Sequence, residues 1–239
     1  MSKKYKLTDE TVKVNGKTLY RIEALKDFCG IKKGDKGGFV ESENNLAHDG
    51  DAWVSDDACV YDNARVSGNA RVYGEAWVYG SACVYGDACV YGDACVFGCA
   101  RVFGDALVYD NASVSDNASV SGYAQLNGDV CVYGYASVSD NACVHGDARV
   151  YGDVLVCGYA CVYDDAEIST DADYIVFKNW WSSGRYFTWT RSNNMWSVGC
   201  FYGTGEELVK KAYKDSEKSG REYERIVKYV EEIRKDNGK

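Results

Sequence analysis

Between positions 52 and 173, apolar and polar residues recur every six positions, as in Val84-Tyr85-Gly86-Asp87-Ala88-Cys89 and Val90-Tyr91-Gly92-Asp93-Ala94-Cys95. Across each unit boundary the order is Ala-Xaa-Val, so Ala and Val fall on one face of a short strand. In Ala58-Cys59-Val60-Tyr61 this puts Ala58 and Val60 inward, with Cys59 and Tyr61 outward. Gly-Asp, Gly-Asn or Asp-Asn follows, pairs that tolerate positive φ and turn the chain. The chain has no proline, so every corner depends on these residues. A six-residue strand and corner cannot bury its own apolar face, so successive units must wind into coils and stack.

On either side the pattern changes. Residues 5–24 predict two strands around Val14-Asn15-Gly16-Lys17, a hairpin signal. Residues 34–40 lead into a first, imperfect coil containing Leu46. This segment is expected to cap a coil end that would otherwise expose unpaired backbone. From Tyr174 a strand is predicted over 174–178, then a hairpin of 185–191 and 195–201 around Ser192-Asn193-Asn194. Thr204-Gly205-Glu206-Glu207 and Ser219-Gly220-Arg221-Glu222 read as capping boxes that open two helices. Leu208, Ala212 and Tyr213 form the apolar stripe of the first, and Tyr223, Ile226, Val227, Val230 and Ile233 that of the second. The expected organisation is a cap at 1–40, a repeat solid at 41–173 and a small domain at 174–239.

An aliphatic residue followed four positions later by a small one, as in Val54/Ala58, Val60/Ala64, Val66/Ala70 and on to Ile168/Ala172, resembles the motif of the hexapeptide-repeat family. The resemblance covers about 120 residues. It implies a mainly β fold: a left-handed parallel β-helix of triangular coils, three hexads to the coil, with the N-terminal hairpin as cap and a small C-terminal α+β domain. At that length the repeat makes roughly seven coils, about 33 Å of stack at ~4.8 Å each. One departure is that Tyr, Ser or Phe follows the aliphatic residue where the family often has Gly. Outward side chains then form three columns: Tyr61, Tyr79, Phe97, Ser115, Tyr133, Tyr151; Ser55, Tyr73, Tyr91, Tyr109, Asn127, His145, Tyr163; and Ser67, Tyr85, Phe103, Ser121, Ser139, Cys157. Such ladders stabilise a sheet face or furnish a subunit interface. Family members are commonly trimers, so a homotrimer is the first oligomer expected. Cys99, Tyr123, Tyr135 and Tyr159 replace Asp or Asn at corners and are read as docking points for the chain's own ends.

The net charge of −9 is unevenly distributed. Residues 1–40 carry ten Lys/Arg against five Asp/Glu, residues 41–173 four against twenty-two, and residues 174–239 thirteen against nine. Most acids of the middle segment occupy corners, where they serve backbone geometry. The same acidity argues against duplex nucleic acid as a partner. Of eleven cysteines, Cys59, Cys83, Cys89, Cys95, Cys131, Cys143 and Cys161 share one phase of the repeat, and only Cys143 and Cys161 fall one coil apart. There is no Cys-Xaa-Xaa-Cys pair, and reduced thiols are expected. The sequence has no apolar run long enough to span a membrane and no secretory core near Met1, so a cytoplasmic location is expected, the host cytoplasm if the chain is phage-encoded.

The family's acyltransferases use a histidine base between subunits, and its carbonic-anhydrase-like members bind zinc through three histidines. This chain has only His48 and His145, so the zinc set cannot be made; each histidine reads more simply as part of its coil. No Gly-Xaa-Ser-Xaa-Gly, Walker-type loop or His-Glu-Xaa-Xaa-His occurs, and no cofactor is called for. What remains is Lys178, Trp180, Trp181, Arg185, Tyr186, Trp189, Arg191 and Trp196. Alternation puts Arg185, Phe187, Trp189 and Arg191 on one face. Arginines interleaved with aromatics suit a nucleotide, though tryptophans also serve as the core of a small domain poor in Leu and Ile. The stretch Phe177-Lys178-Asn179-Trp180-Trp181-Ser182-Ser183-Gly184-Arg185, Gly199-Cys200-Phe201, and Gly37-Gly38-Phe39-Val40-Glu41-Ser42-Glu43 resemble hexapeptide-repeat proteins of bacteria and their phages. No activity comes with that resemblance. The reading is a non-catalytic binding protein, a phage-type sponge for a small nucleotide immune signal; an acyltransferase and a structural oligomerisation module are the alternatives.

Overall fold

The computed structural model describes residues 3–236. The repeat forms a parallel β-solenoid whose strands pair with their counterparts eighteen residues on, as in Cys59↔Trp77, Cys89↔Leu107 and Ser119↔Ser137. Three hexads therefore close one coil, and the sides are a seven-stranded sheet from Trp53–Val54 to Cys161–Val162, a six-stranded sheet from Arg65–Val66 to Leu155–Val156, and a third sheet that also takes in the N-terminal strands. The inward Ala and Val side chains are sealed from solvent in one continuous core. Most rungs are two residues long; Gln125–Gly128 and Cys143–Gly146 are four.

Asp56, Asp62, Asp110, Asp116 and Asp140 sit at corners with φ between 55° and 60°. Each carboxylate accepts the N–H of the glycine one coil on, from Gly74, Gly80, Gly128, Gly134 and Gly158, at 3.0–3.3 Å. An acid at this position is thus followed by a glycine, which avoids two stacked carboxylates. The outward columns pack as expected: Tyr73, Tyr91 and Tyr109 stack at 4.7 and 4.9 Å, and Tyr61, Tyr79 and Phe97 at 5.1 and 5.0 Å.

The hairpin Tyr5–Val14 and Lys17–Ala24 is antiparallel, and Lys36–Val40 joins it to the solenoid by pairing parallel with Cys59–Val60. The outward Cys59 and Tyr61 are consequently buried beneath Val14, Leu19 and Phe39. The open coil end is plugged by Lys4, whose fully buried ammonium donates to the carbonyls of Gly50 (3.3 Å) and Ala52 (2.7 Å). A lysine is an unusual plug. It works here because it supplies donors to carbonyls that have no preceding coil to meet.

Beyond the last coil, Tyr174–Lys178, Tyr186–Thr190, Met195–Val198 and Phe201–Gly203 form an antiparallel sheet, followed by helices α1 (Gly205–Asp215) and α2 (Glu217–Asp236). Thr204 and Glu207 make the expected capping box. The second helix starts ahead of the predicted Ser219 cap. Only Ser216 separates the two helices, and its Oγ accepts the Ser219 N–H at 3.1 Å. The sheet docks on the last coils: Cys161 N donates to Thr188 Oγ1 (2.8 Å), Ser197 Oγ to Cys161 O (2.7 Å) and Tyr174 OH to Leu155 O (2.8 Å). Among the described residues no helix is long and apolar enough to cross a membrane.

Candidate ligand cavity in the C-terminal domain

Alternation along Tyr186–Thr190 gives the domain its two faces. Thr188 and Tyr186 face the solenoid, where Tyr186 stacks on the corner residue Tyr159 at 4.3 Å. Phe187 and Trp189 face the helices and form a core with Trp181, Trp196, Leu208, Tyr223, Val227 and Val230. The eight residues singled out in the sequence are not brought together on one surface, and three of the tryptophans take the alternative role of core. Trp189 pairs with Trp196 across the hairpin, both are at most 2% exposed, and Arg234 lies 5.9 Å over the Trp189 ring. These rings supply the apolar area that a domain poor in Leu and Ile needs, so they are closed to a ligand.

The other members of the set separate. Trp180 is 77% exposed and meets Trp181 edge-on. Lys178 is the register partner of Tyr186 and holds its ammonium 5.4 Å from that ring. Arg191 is half-buried, its backbone N–H donating to Asp173 O at 2.7 Å. Arg185 is the member of the set that lines the cavity described next.

That cavity, about 420 Å³, lies between the 179–185 loop, the strand Phe201–Gly203 and the junction of α1 and α2. It is lined by the exposed Arg185, Lys211, Asp215, Ser182 and Ser183 and by the buried Asn179, Ser219 and Tyr223. Asn179 is buried and organises the loop: its Nδ2 donates to Ser182 Oγ (2.9 Å), Ser183 Oγ (3.2 Å) and Tyr223 OH (3.3 Å). Its Oδ1 accepts the Ser182 N–H at 3.0 Å, fixing the turn that presents Arg185. Burial pushes the Tyr223 phenol up; the Asn179 amide and the Arg185 charge pull it down, and Asp215 adds to the rise. Lys211 holds its ammonium 5.1 Å over the Phe201 ring. The first turn of α2 reaches the cavity at Ser219 with the positive end of its dipole, and the last turn of α1 reaches it at Ala212 and Asp215 with the negative end of another.

Asn179, Lys211, Asp215, Ser219 and Tyr223 escape a reading of the chain because they come from a loop and two helices. The one signal was the 177–185 stretch, whose Asn-Xaa-Xaa-Ser-Ser-Xaa-Arg pattern is this loop. Of the histidines, His48 stacks on Tyr5 at 4.4 Å and its Nδ1 accepts the Lys4 N–H at 3.2 Å, a part of the end plug. His145 stacks on Tyr163 at 4.8 Å. Among the corner aromatics Tyr159 stacks on Tyr186 of the C-terminal domain and keeps 49% exposure, whereas Tyr123 and Tyr135 stay 62% and 69% exposed. Among the described residues no group of three or more His, Cys, Asp or Glu is placed to hold a metal ion.

A family model described as the YdcK Beta solenoid repeat matches residues 64–80, just under one coil. No curated protein matches the chain. The short match and the three stacked parallel sheets together support a β-solenoid repeat protein, and they carry no activity with them.

Proposed function

We propose that this β-solenoid protein is a non-catalytic binding protein whose C-terminal cavity sequesters a small nucleotide. The observation that carries the reading is the combination of Arg185, Lys211 and Asp215 around one cavity of about 420 Å³. That volume lies in the range of small-ligand sites. An Arg fork and a Lys point charge suit phosphate oxygens. Asp215 opposes a bare phosphate but accepts hydrogen bonds from ribose hydroxyls, and Phe201 and Tyr223 offer rings to a base. A ligand with phosphate, ribose and base uses every part. In this reading the ligand is held, not turned over, and a nucleotide immune signal of the kind a phage gains by removing is the first class to test. The solenoid supplies rigidity, and its aromatic columns join three copies.

Titration calorimetry of the full chain against cyclic oligonucleotides and ADP-ribose derivatives tests the reading. Binding of at least one is expected, weakened about 10- to 100-fold by Arg185→Gln, the loss of one charged hydrogen bond. Absence of heat with every member of the panel defeats it.

A further inference from the structure

Cys143 and Cys161 are register partners on adjacent coils of the seven-stranded face. In-register outward side chains of parallel strands start ~4.8 Å apart at Cα, inside the range a disulfide spans. The other thiols of this slot meet different neighbours: Cys89 lies between Arg71 and Leu107, Cys95 between Trp77 and Ser113, Cys131 between Ser113 and Arg149. Two residues along from Cys143, on the same outward face, stands His145. Its ring stacks on Tyr163, and its Nδ1 is hydrogen-bonded to Asn127 Oδ1 one coil earlier. With Nδ1 donating to that amide oxygen, Nε2 is left to take a thiol proton. The solenoid's two four-residue rungs are the ones that carry Asn127 and His145, and they stay paired through Asn127↔His145. Both thiols are half-buried, within reach of solvent.

The electrostatics agree with the geometry. The neighbouring Cys161 and then His145 hold the Cys143 thiol below the usual thiol range, against burial, and its Sγ donates to Asn141 O at 3.8 Å. Cys143 and burial hold the Cys161 thiol up. The phenols of the same column, Tyr109 and Tyr163, are pushed up by burial and stay neutral; Cys200 comes near Tyr163 from the C-terminal domain. A thiol held low beside a thiol held up is the poise of an exchanging dithiol.

We propose that Cys143 and Cys161 form a thiol–disulfide exchange site, with His145 as the base for Cys143, Asn127 as its positioning residue, and a low-molecular-weight disulfide as substrate. Cys143 passes its proton to His145, and the thiolate attacks one substrate sulfur. A Cys143–substrate S–S bond forms, the substrate S–S bond breaks, and the departing thiolate takes the proton from His145. Cys161 then attacks Cys143 Sγ, its proton going by way of His145 to the second departing thiolate. In balance, one disulfide is reduced to two thiols and the two cysteines are oxidised to a cross-coil bridge.

The test treats the full chain with glutathione disulfide, alkylates the remaining thiols and maps the peptides. A Cys143–Cys161 bridge is expected, with Cys83, Cys89, Cys95 and Cys131 alkylated. Cys161→Ser should instead keep a mixed disulfide on Cys143; serine already fills this slot at Ser113, Ser119 and Ser137, so the variant folds. His145→Tyr places in the column a residue it already accepts at Tyr109 and Tyr163. It should slow alkylation of Cys143 at about pH 5.5 by roughly tenfold or more, with the rates converging in alkali, because an ordinary thiol is almost wholly protonated in acid. Recovery of both Cys143 and Cys161 alkylated overturns the proposal, and a pH profile unmoved by His145→Tyr overturns the role of the base.

Discussion

Gly98 and Gly158 have nearly the same backbone, with φ of 67° and 71°, yet they differ in what lies beyond. A Cβ added at Gly98 would stand 2.8 Å from Asp116 N and 3.1 Å from its Cα and O, all backbone of the next coil; at Gly158 it would meet nothing within 4 Å. Alanine at either site takes on a left-handed conformation costing about 1–2 kcal/mol. Reduced freedom of the unfolded chain offsets roughly 0.5 kcal/mol of this, so Gly158→Ala should lose ~1 kcal/mol. Gly98→Ala adds an overpacking cost of about 1–3 kcal/mol. The neighbouring backbone cannot yield freely, because Cys99 N donates to Asp116 O at 2.6 Å. The expected total is ~3 kcal/mol. At ~2–4 °C per kcal/mol for a chain of this size, thermal unfolding followed by far-UV circular dichroism should show Tm falling about 2–4 °C for Gly158→Ala and about 6–12 °C for Gly98→Ala. Stability along a stacked array varies with position. Val96→Ala and Val156→Ala, at buried sites on the same coils, calibrate that effect. Equal losses for the two glycines after that correction would refute the idea that contact with the next coil decides which residues a corner accepts.

Three further outcomes are expected. Trp189→Ala should cost about 3–5 kcal/mol as a buried aromatic, and Trp180→Ala no more than about 0.5 kcal/mol, measured by urea unfolding. Burial pushes the Asp173 carboxyl up, but the N–H and hydroxyl groups of Ser169 and Thr170 outweigh it and hold the group below its usual range. With the folded pKa below the unfolded value, its stabilisation is present above about pH 4 and is lost as pH falls through the folded pKa. Urea midpoints of Asp173→Asn should therefore show a shallower acid dependence than those of the parent. Light scattering on the eluted protein should give the mass of three chains, and a monomer would remove the interface role of the aromatic columns.

The hexad made the solenoid legible because a strict period assigns each side chain a face and, once three hexads close a coil, a vertical neighbour. The stacking of Tyr73 on Tyr91 follows from their eighteen-residue spacing, as does the pairing of Cys143 with Cys161. Lys4 was invisible because its burial depends on carbonyls of residues 50 and 52 that only the closed coil brings to it. The tryptophans were open to two readings for a different reason. Alternation put Arg185, Phe187, Trp189 and Arg191 on one face, but whether that face meets water or helices depends on α1 and α2 folding back, and at Phe187 and Trp189 it meets the helices. The cavity draws Asn179, Lys211 and Tyr223 from three elements with no shared period, so only the folded chain assembles it.

The central claim is that ligand recognition resides in this cavity and not at the exposed Trp180. Calorimetry with the nucleotide that binds the parent, repeated on Arg185→Gln, Lys211→Gln and Trp180→Ala, tests it most directly. The account predicts a loss of about tenfold or more for the first two, whose charges face the cavity, and an unchanged Kd for the third. Full affinity in both cavity variants, with binding lost in Trp180→Ala, would contradict it.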